Sequence, residues 1–283
     1  MNWSDLRRSG NVEDRRGMSG GGKVAMGGIG VIIVLAIGLL TGQDPSEILS
    51  NLQQGQGTEQ SAEQRPAGPR PDDKTADFVT AVLGSTEDVW GQIYKENNAQ
   101  YQQPTLQIFE NQTEGGCGGA TAASGPFYCP ADQKVYIDLS FCDELRDRFH
   151  APGEFAVAYV VAHEVGHHVQ NLMGISDQLQ QQRGRLSEKE YNKLSVKLEL
   201  QADFLAGVWA NHAQQMANIL EPGDLESALT AANAIGDDRL QKESRGVVVP
   251  DAFTHGSSAQ RMYWFKKGFE TGDLNQGKFD DIQ

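Results

Sequence analysis

The stretch HEVGHHVQ at residues 163–170 places three histidines and a glutamate within six positions. In a helix, residues four apart are separated by about 40° around the axis, so His163 and His167 share one face and could bind the same metal ion. His168 is rotated by about 140° from His163, and we expect it to have a structural role instead. Glu164 follows the first of the two ligands and could act as a general base toward a water molecule that the metal activates. The spacing therefore predicts a hydrolytic zinc site.

The surrounding residues favour a helix for this stretch. Residues 153–174 contain few helix breakers, Pro152 lies at a tolerated helix-start position, and Gly174 is a plausible end. The alternative for the two histidines is a solvated or core-satisfied helix pair. Because Tyr159 and Val160 lie on the same side as His163, a water-exposed pair is disfavoured.

A catalytic zinc ion usually has three protein ligands and one position for water. The longer H-E-x-x-H-x-x-G-x-x-H pattern is excluded, because the chain has Gln170 and Met173 where glycine and histidine would be needed. A better candidate lies in LSVKLELQADFLAGVWA at residues 194–210, where Glu199 and Asp203 recur on one helix face with small residues. This stretch follows an S-x-x-E capping box, which plausibly begins a helix.

Two carboxylates on a closely packed helix face would be costly to bury without partners. We therefore predict Glu199 as the third zinc ligand. Asp203, one turn later, could accept the free ring N–H of a ligating histidine and fix its tautomer. The alternative is an exposed acidic patch on a surface helix. Other possible third ligands are His212, His255, Glu154 and Asp177.

The elements that position these residues form one mixed domain over residues 74–283. Residues 78–96 show the spacing of an amphipathic helix. Two short runs at residues 105–110 and 133–140 read as strands, and the pattern is helical from residue 141 almost to the end. The predicted fold class is α+β, a mainly helical catalytic domain with a small sheet.

An apolar segment precedes this domain. Residues 24–42 carry no charge, and at 1.5 Å per residue their length nearly matches a hydrocarbon core of roughly 30 Å, so we predict one transmembrane helix. Residues 1–23 hold five basic and three acidic residues, which by the positive-inside rule places them in the cytoplasm and the domain outside. A cleaved signal peptide or a buried helix is the alternative, although no typical cleavage site follows. Residues 43–73, rich in Gln, Gly, Pro and Ser, are predicted to be a flexible linker.

The charge and the cysteines of the chain bear on its binding partners and on disulfide formation. The net charge of −14 argues against general nucleic-acid binding, which requires a basic surface. All three cysteines lie in the domain, where an extracytoplasmic location would allow a disulfide to persist. Cys117 and Cys129 are the preferred pair because glycine-rich and turn-like residues flank them, while pairing of Cys129 with Cys142 is also possible.

Several stretches together resemble the membrane-anchored bacterial family of putative neutral zinc metallopeptidases, which are of the gluzincin type. They are MSGGGKV, GPFYCPADQKVYIDLSF, AYVVAHEVGHHVQNLMGI, ELQADFLAGVWA and THGSSAQRMYWFKKG. The resemblance implies His163, His167 and Glu199 as zinc ligands and Glu164 as the catalytic base. It also implies a zincin-like fold, in which QKVYIDLS at residues 133–140 could be the edge strand that holds an extended peptide.

A second resemblance concerns THGSSAQR at residues 254–261. CaaX-protease-like gluzincins carry a T-H-P segment with an arginine six residues after the histidine, and His255 and Arg261 have that spacing, with Gly256 in place of proline. This resemblance implies that His255 stabilises the oxyanion of the tetrahedral intermediate and that Arg261 supports the wall of the active site. A loop histidine followed by a helix with a surface arginine is the alternative.

The sequence thus favours a zinc endopeptidase of the bacterial inner membrane, with a single-pass anchor, a cytoplasmic N-terminus and peptide or protein substrates. A zinc-containing envelope scaffold with a vestigial hydrolytic site is an alternative, which the intact Glu164 disfavours because a binding role needs no general base. Zinc-dependent hydrolysis of a non-peptide envelope substrate is a third possibility.

Overall fold

The computed structural model describes residues 1–17 and 73–282. The strands are β1 (Val12–Asp14), β2 (Thr105–Phe109), β3 (Gln112–Gly115), β4 (Gly118–Thr121), β5 (Phe127–Cys129) and β6 (Lys134–Asp138). The α-helices are α1 (Lys74–Glu96), α2 (Ser140–Asp147), α3 (Glu154–Leu172), α4 (Ile175–Gln182), α5 (Glu188–Ala217), α6 (Asp224–Ala234), α7 (Asp237–Arg245) and α8 (Ser258–Thr271). Helix α1 lies between β1 and β2, and the other α-helices all follow β6, so strands and helices are largely segregated along the described chain, in keeping with the α+β prediction.

The main sheet has the order β1-β2-β6-β5. Strands β1, β2 and β6 are parallel, whereas β5 pairs antiparallel with β6, and β3 and β4 form a separate hairpin. The predicted strands at 105–110 and 133–140 are confirmed as β2 and β6. The expectation that residues 133–140 form an edge strand is wrong, because β6 has a partner on each side and β5 occupies the edge.

A disulfide joins Cys117, in the turn of the β3–β4 hairpin, to Cys129 at the end of β5. The preferred cysteine pairing is therefore confirmed, and Cys142 on α2 has a free thiol. The bridge fastens the hairpin to the edge strand of the main sheet, and so restrains both of these short elements.

Helix α3 is the centre of the helical part. Fifteen of its 19 residues are buried, because its sequence is apolar or small on nearly every side. It packs against α1, α5 and α6 and against strand β5. Helix α5 begins at the predicted capping box, in which Ser187 accepts from the backbone of Glu190 while the Glu190 side chain bonds back to Ser187. The helix predicted to carry His163 and His167 is therefore α3, and the helix predicted to carry Glu199 and Asp203 is α5.

The first sixteen residues are packed on the domain. Strand β1 extends the sheet beside β2, and the buried carboxylate of Glu87 on α1 accepts hydrogen bonds from Arg7, Ser9 and Asn11 at 2.6–2.7 Å. Residues 1–16 and the described part of the domain accordingly belong to one compact unit. The sequence predicted a separate segment over residues 1–23 and did not anticipate this packing.

This packing bears on the predicted membrane orientation. A single crossing by residues 24–42 would put residues 1–16 and the domain on opposite sides of a membrane, where they could not form these contacts. The apolar run and the predicted linker up to residue 72 lie outside the described residues, and the membrane helix itself stays a prediction. None of the helices in the described ranges combines the length and apolar character needed to cross a bilayer.

Candidate metal centre

Three side chains from helices α3 and α5 converge in the lining of one cleft. Nε2 of His163 lies 3.2 Å from Oε2 of Glu199, and Nε2 of His167 lies 3.4 Å from Oε1 of the same carboxylate. Potential ligand atoms of all three lie within 4.8 Å of one another, the one such group of His, Cys, Asp and Glu side chains found in residues 1–17 and 73–282. Two imidazole nitrogens and one carboxylate oxygen are a donor set typical of catalytic zinc.

The close approach of the two helices brings this trio together. Gly166, between the two histidines, packs on Ala202 so tightly that an added Cβ would lie 2.9 Å from the Ala202 carbonyl oxygen. Gln170 connects the helices further, since its amide nitrogen donates to the backbone oxygen of Leu198 at 2.7 Å. The Gln170 amide oxygen is 2.9 Å from Nδ1 of His167, where it can accept the ring proton and leave Nε2 free for a metal.

Asp203 has the corresponding role for the other histidine. Its Oδ1 lies 2.8 Å from Nδ1 of His163, and it also accepts from the Tyr159 hydroxyl at 2.5 Å. The Arg261 guanidinium donates to both carboxylate oxygens, through Nε at 2.8 Å and Nη2 at 3.0 Å. Arg261 is buried rather than on the surface, which excludes the surface-arginine alternative, and it holds Asp203 against His163.

The charges of this buried region fit a divalent cation. The carboxylates of Glu164, Glu199 and Asp203 face a single guanidinium, that of Arg261, so full ionisation would leave two negative charges in excess in a poorly solvated place. Burial opposes a positive charge on His163, yet Asp203 and Glu199 raise its pKa to about 10. The site therefore favours positive charge, and its donor types suit zinc.

Glu164 borders the same cleft, which has a volume of about 520 Å³. Its side chain is buried, and burial raises its carboxyl pKa above the ordinary value. A carboxylate of increased basicity next to a metal-ligand set is suited to proton transfer near neutral pH. The remaining wall is mostly apolar, and includes Pro126, Phe127, Tyr128, Phe141, Val160, Leu179, Leu198, Ile235 and Leu240.

His255 reaches the cleft from the loop between α7 and α8. Oδ2 of Asp237 accepts from the backbone nitrogens of Thr254, His255 and Gly256 at 2.6–3.1 Å, and Oδ1 lies 3.2 Å from Nδ1 of His255. The hydrogen bond with Asp237 raises the pKa of His255. Gly256 has φ +90°, a conformation that proline cannot adopt, so the loop differs from a T-H-P segment at this residue.

Other histidines and acids considered as ligands have different surroundings. Nε2 of His212 lies 3.0 Å from the Gly272 carbonyl oxygen. Glu154 lies at the start of α3 and does not border the cleft. His168 is fully buried on another side of α3, where it contacts Tyr128 and the Gln102 carbonyl oxygen, in keeping with its expected structural role.

The structure thus brings together all the metal, catalytic and supporting residues expected from the sequence: His163, Glu164, His167, Glu199, Asp203, His255 and Arg261. Tyr159, Gln170 and Asp237 also support the site and were not predicted. Tyr159 and Gln170 had a weak signal in the sequence, because each lies three or four residues from a predicted ligand on α3. Asp237 had none.

Comparison with known proteins gives consistent results. The family model described as "Putative neutral zinc metallopeptidase" matches residues 1–279. The chain is 49% identical over 284 residues to the uncharacterized protein YpfJ of Escherichia coli K12, covering 98% of this chain and 97% of that protein. It is 42% identical over 207 residues to the uncharacterized protein Rv2575 of Mycobacterium tuberculosis H37Rv, covering 70% and 68% of the two chains. No solved structure matches.

Proposed function

This chain belongs to the putative neutral zinc metallopeptidase family, and on that premise we propose that it hydrolyses peptide bonds with a zinc ion held by His163, His167 and Glu199. The observation that carries the proposal is the position of Glu164. Its buried carboxylate borders the cleft beside the three converging ligand side chains, with a raised pKa. A site that only bound zinc would not require such a group.

The reaction needs both a Lewis acid and a proton carrier. When bound, zinc polarises a carbonyl oxygen and lowers the pKa of water. Glu164 would remove a proton from the attacking water and deliver it to the nitrogen of the leaving amine. Gln170 and Asp203 would hold the two imidazoles with Nε2 unprotonated toward the ion.

His255 would stabilise the developing oxyanion. Because Asp237 accepts at Nδ1, a protonated His255 has Nε2–H as its free donor. The imidazole is about half exposed at the border of the cleft, so this donor is accessible to a bound substrate. A donor aimed at negative charge in a partly dry cleft contributes more than the same donor in water.

The substrate would bind in an extended conformation along β5. This strand is one of the two edge strands of the described four-stranded sheet, and Phe127 and Tyr128 border the cleft. An extended peptide could add to the free edge through backbone hydrogen bonds. The interior strand β6, which the sequence suggested for this purpose, has no free edge.

The test compares wild type with Glu164→Gln, which keeps the size of the side chain but removes its basicity. We expect unchanged zinc content and a loss of peptide hydrolysis of about 10²- to 10⁴-fold. Glu188→Gln, at an exposed position on α5, is the matched control and should behave as wild type.

Denatured protein and cell-wall fragments are the substrates for this test. Cleavage of denatured protein by wild type alone supports the proposal. Retained cleavage in Glu164→Gln would contradict the assigned base. Turnover of cell-wall fragments only would favour a non-peptide substrate, and zinc binding without turnover of either would favour the scaffold alternative.

A further inference from the structure

We infer that His168, the third histidine of the HEVGHH stretch, is a positioning residue that fastens the substrate-binding edge strand to the helix carrying the metal ligands. The inference deepens the proposed function and rests on it for the role of β5. Its geometric part concerns the contacts between α3 and β5, which do not involve a metal.

The hydrogen-bond partners of His168 indicate which of its ring nitrogens carries the proton. Nε2 lies 2.6 Å from the backbone oxygen of Gln102, which can only accept, so the ring proton is on Nε2. Nδ1 is then an acceptor, and it lies 3.0 Å from the hydroxyl of Tyr128.

The Tyr128 hydroxyl is fully used by this arrangement. It donates to Nδ1 of His168 and accepts from the side-chain amide of Asn171 at 3.1 Å. The rings of Tyr128 and His168 also meet edge to face, with centroids 5.3 Å apart. Two side chains of α3 thus hold one residue of the edge strand.

The strand has few other restraints. β5 contains three residues, and Tyr128 is the middle one. Pairing with β6 holds one side, and the disulfide at Cys129 restrains one end. The contact with His168 and Asn171 is the additional restraint that connects β5 to α3, the helix that carries His163 and His167. It would keep the peptide-binding edge in register with the metal centre.

Tyr128→Phe tests this inference with a matched control in the same cluster. It keeps the ring but removes the hydroxyl, and it leaves Nδ1 of the buried His168 and the half-buried side-chain amide of Asn171 without this partner. Tyr101 also packs edge to face on His168, at 5.8 Å, but its buried hydroxyl has no hydrogen-bond partner within the described residues. Tyr101→Phe therefore removes a hydroxyl that makes no such contact. Replacing His168 itself would leave the Gln102 carbonyl oxygen without its donor and would destabilise the fold, so this variant is not used.

We expect the backbone amides of residues 127–129 to exchange with deuterium about tenfold faster in Tyr128→Phe than in Tyr101→Phe. On peptide substrates, KM should rise about tenfold with little change in kcat. Zinc content should be unchanged in both variants. Equal exchange in the two variants, or an unchanged KM in Tyr128→Phe, would overturn the inference.

Failure of the inference is distinguishable from failure of the proposed function. Hydrogen exchange compares two folded variants and requires no turnover, so equal exchange rates refute the restraint whether or not peptides are cleaved. Absence of peptide cleavage by wild type, in contrast, refutes the proposed function and with it the substrate role of β5.

Discussion

Glu199 supplies the one oxygen donor of the candidate metal centre and contacts both histidines. Its pKa lies well below the ordinary value, because His167 and His163 favour the carboxylate although burial opposes it. Glu199→Ala should therefore lower zinc affinity by about 100-fold or more, since even the loss of an outer-shell partner costs roughly 10- to 100-fold. Elemental analysis and competition with a chelator would measure this.

Glu188→Ala is the control for that experiment, because it removes an exposed glutamate from the first turn of the same helix. We expect about one zinc per chain in wild type and in this control. Zinc binding that survives Glu199→Ala unchanged would mean that another side chain, such as His255, provides the third ligand.

Asp237 should determine the pH range over which His255 acts. Its hydrogen bond raises the pKa of His255, and the protonated imidazole is the form with Nε2–H directed away from Asp237. Activity should fall as pH rises through this pKa, on the alkaline limb of kcat/KM. Asp237→Asn removes the negative charge, lowers the pKa, and should move that limb to lower pH by about 1 unit.

Asp238 offers a neighbouring control for this measurement. It accepts from the backbone and hydroxyl of Ser258 at 2.7 and 2.8 Å, so it supports the start of α8 without contacting His255. Asp238→Asn should lower stability but leave the alkaline limb in place. If the alkaline limb of kcat/KM stays in place in Asp237→Asn, His255 is not the group that titrates there.

The site residues that lie close together along one helix could be predicted from the sequence alone. His163, Glu164 and His167 lie within five consecutive residues of one helix, and Glu199 and Asp203 lie one turn apart on another helix. Asp237 could not be predicted, because its partners are backbone amides 17 to 19 residues later in a loop. Such contacts depend on the tertiary path of the chain, which no periodic pattern records.

Among the elements, the contact between α3 and α5 determines the geometry of the site. Gly166 lies in this contact, and a Cβ there would be 2.9 Å from the oxygen and 3.2 Å from the Cα of Ala202. Gly166→Ala should push the helices apart and destabilise the fold by about 1–3 kcal/mol. It should also weaken zinc binding, because the ligands of one centre lie on both helices.

Gly91→Ala provides the contrast, since a Cβ at Gly91 on α1 would have no neighbour within 4 Å among the described residues. That variant should gain about 0.5–1 kcal/mol from the higher helix propensity of alanine. Urea unfolding would measure the stability of both variants, and zinc titration would measure their metal affinity. Equal effects of the two substitutions would show that the helix contact at Gly166 does not control the site.

The elements themselves were predictable to different degrees. α3 was identified by the scarcity of helix breakers between Pro152 and Gly174, and α5 by helical spacing after a capping box, whereas β2 and β6 were identified as short strand-like runs. β1 and β5 were not identified, because each has only three residues and lies at a sheet edge. The edge position had been assigned to β6 on the family resemblance alone.

At the scale of the whole molecule, residues 1–16 are part of the fold. The side chains of Arg16 and Asp14 are both buried and form an ion pair, and Arg16 also bonds to Asp73, the residue that caps α1. Breaking such a pair by removing one partner is costly, because it leaves the other charge buried without compensation. Four of the five basic residues that suggested a cytoplasmic segment, Arg7, Arg8, Arg15 and Arg16, are thus engaged with acids of the domain and of the segment itself, and Lys23 lies outside the described residues.

This packing predicts that the first residues and the domain lie on the same side of any membrane with which the protein associates. Cysteines introduced at exposed positions, Gly10→Cys near β1 and Glu188→Cys on α5, can report this in a Cys142→Ser background. A membrane-impermeant maleimide applied to spheroplasts and to inverted vesicles should label both positions from the same face. Labelling from opposite faces would show that residues 24–42 cross once and that β1 does not pair with β2 in the membrane-associated protein. Same-face labelling would instead be incompatible with a single crossing, because residues 1–16 and the domain must share a compartment for Arg7 to reach Glu87.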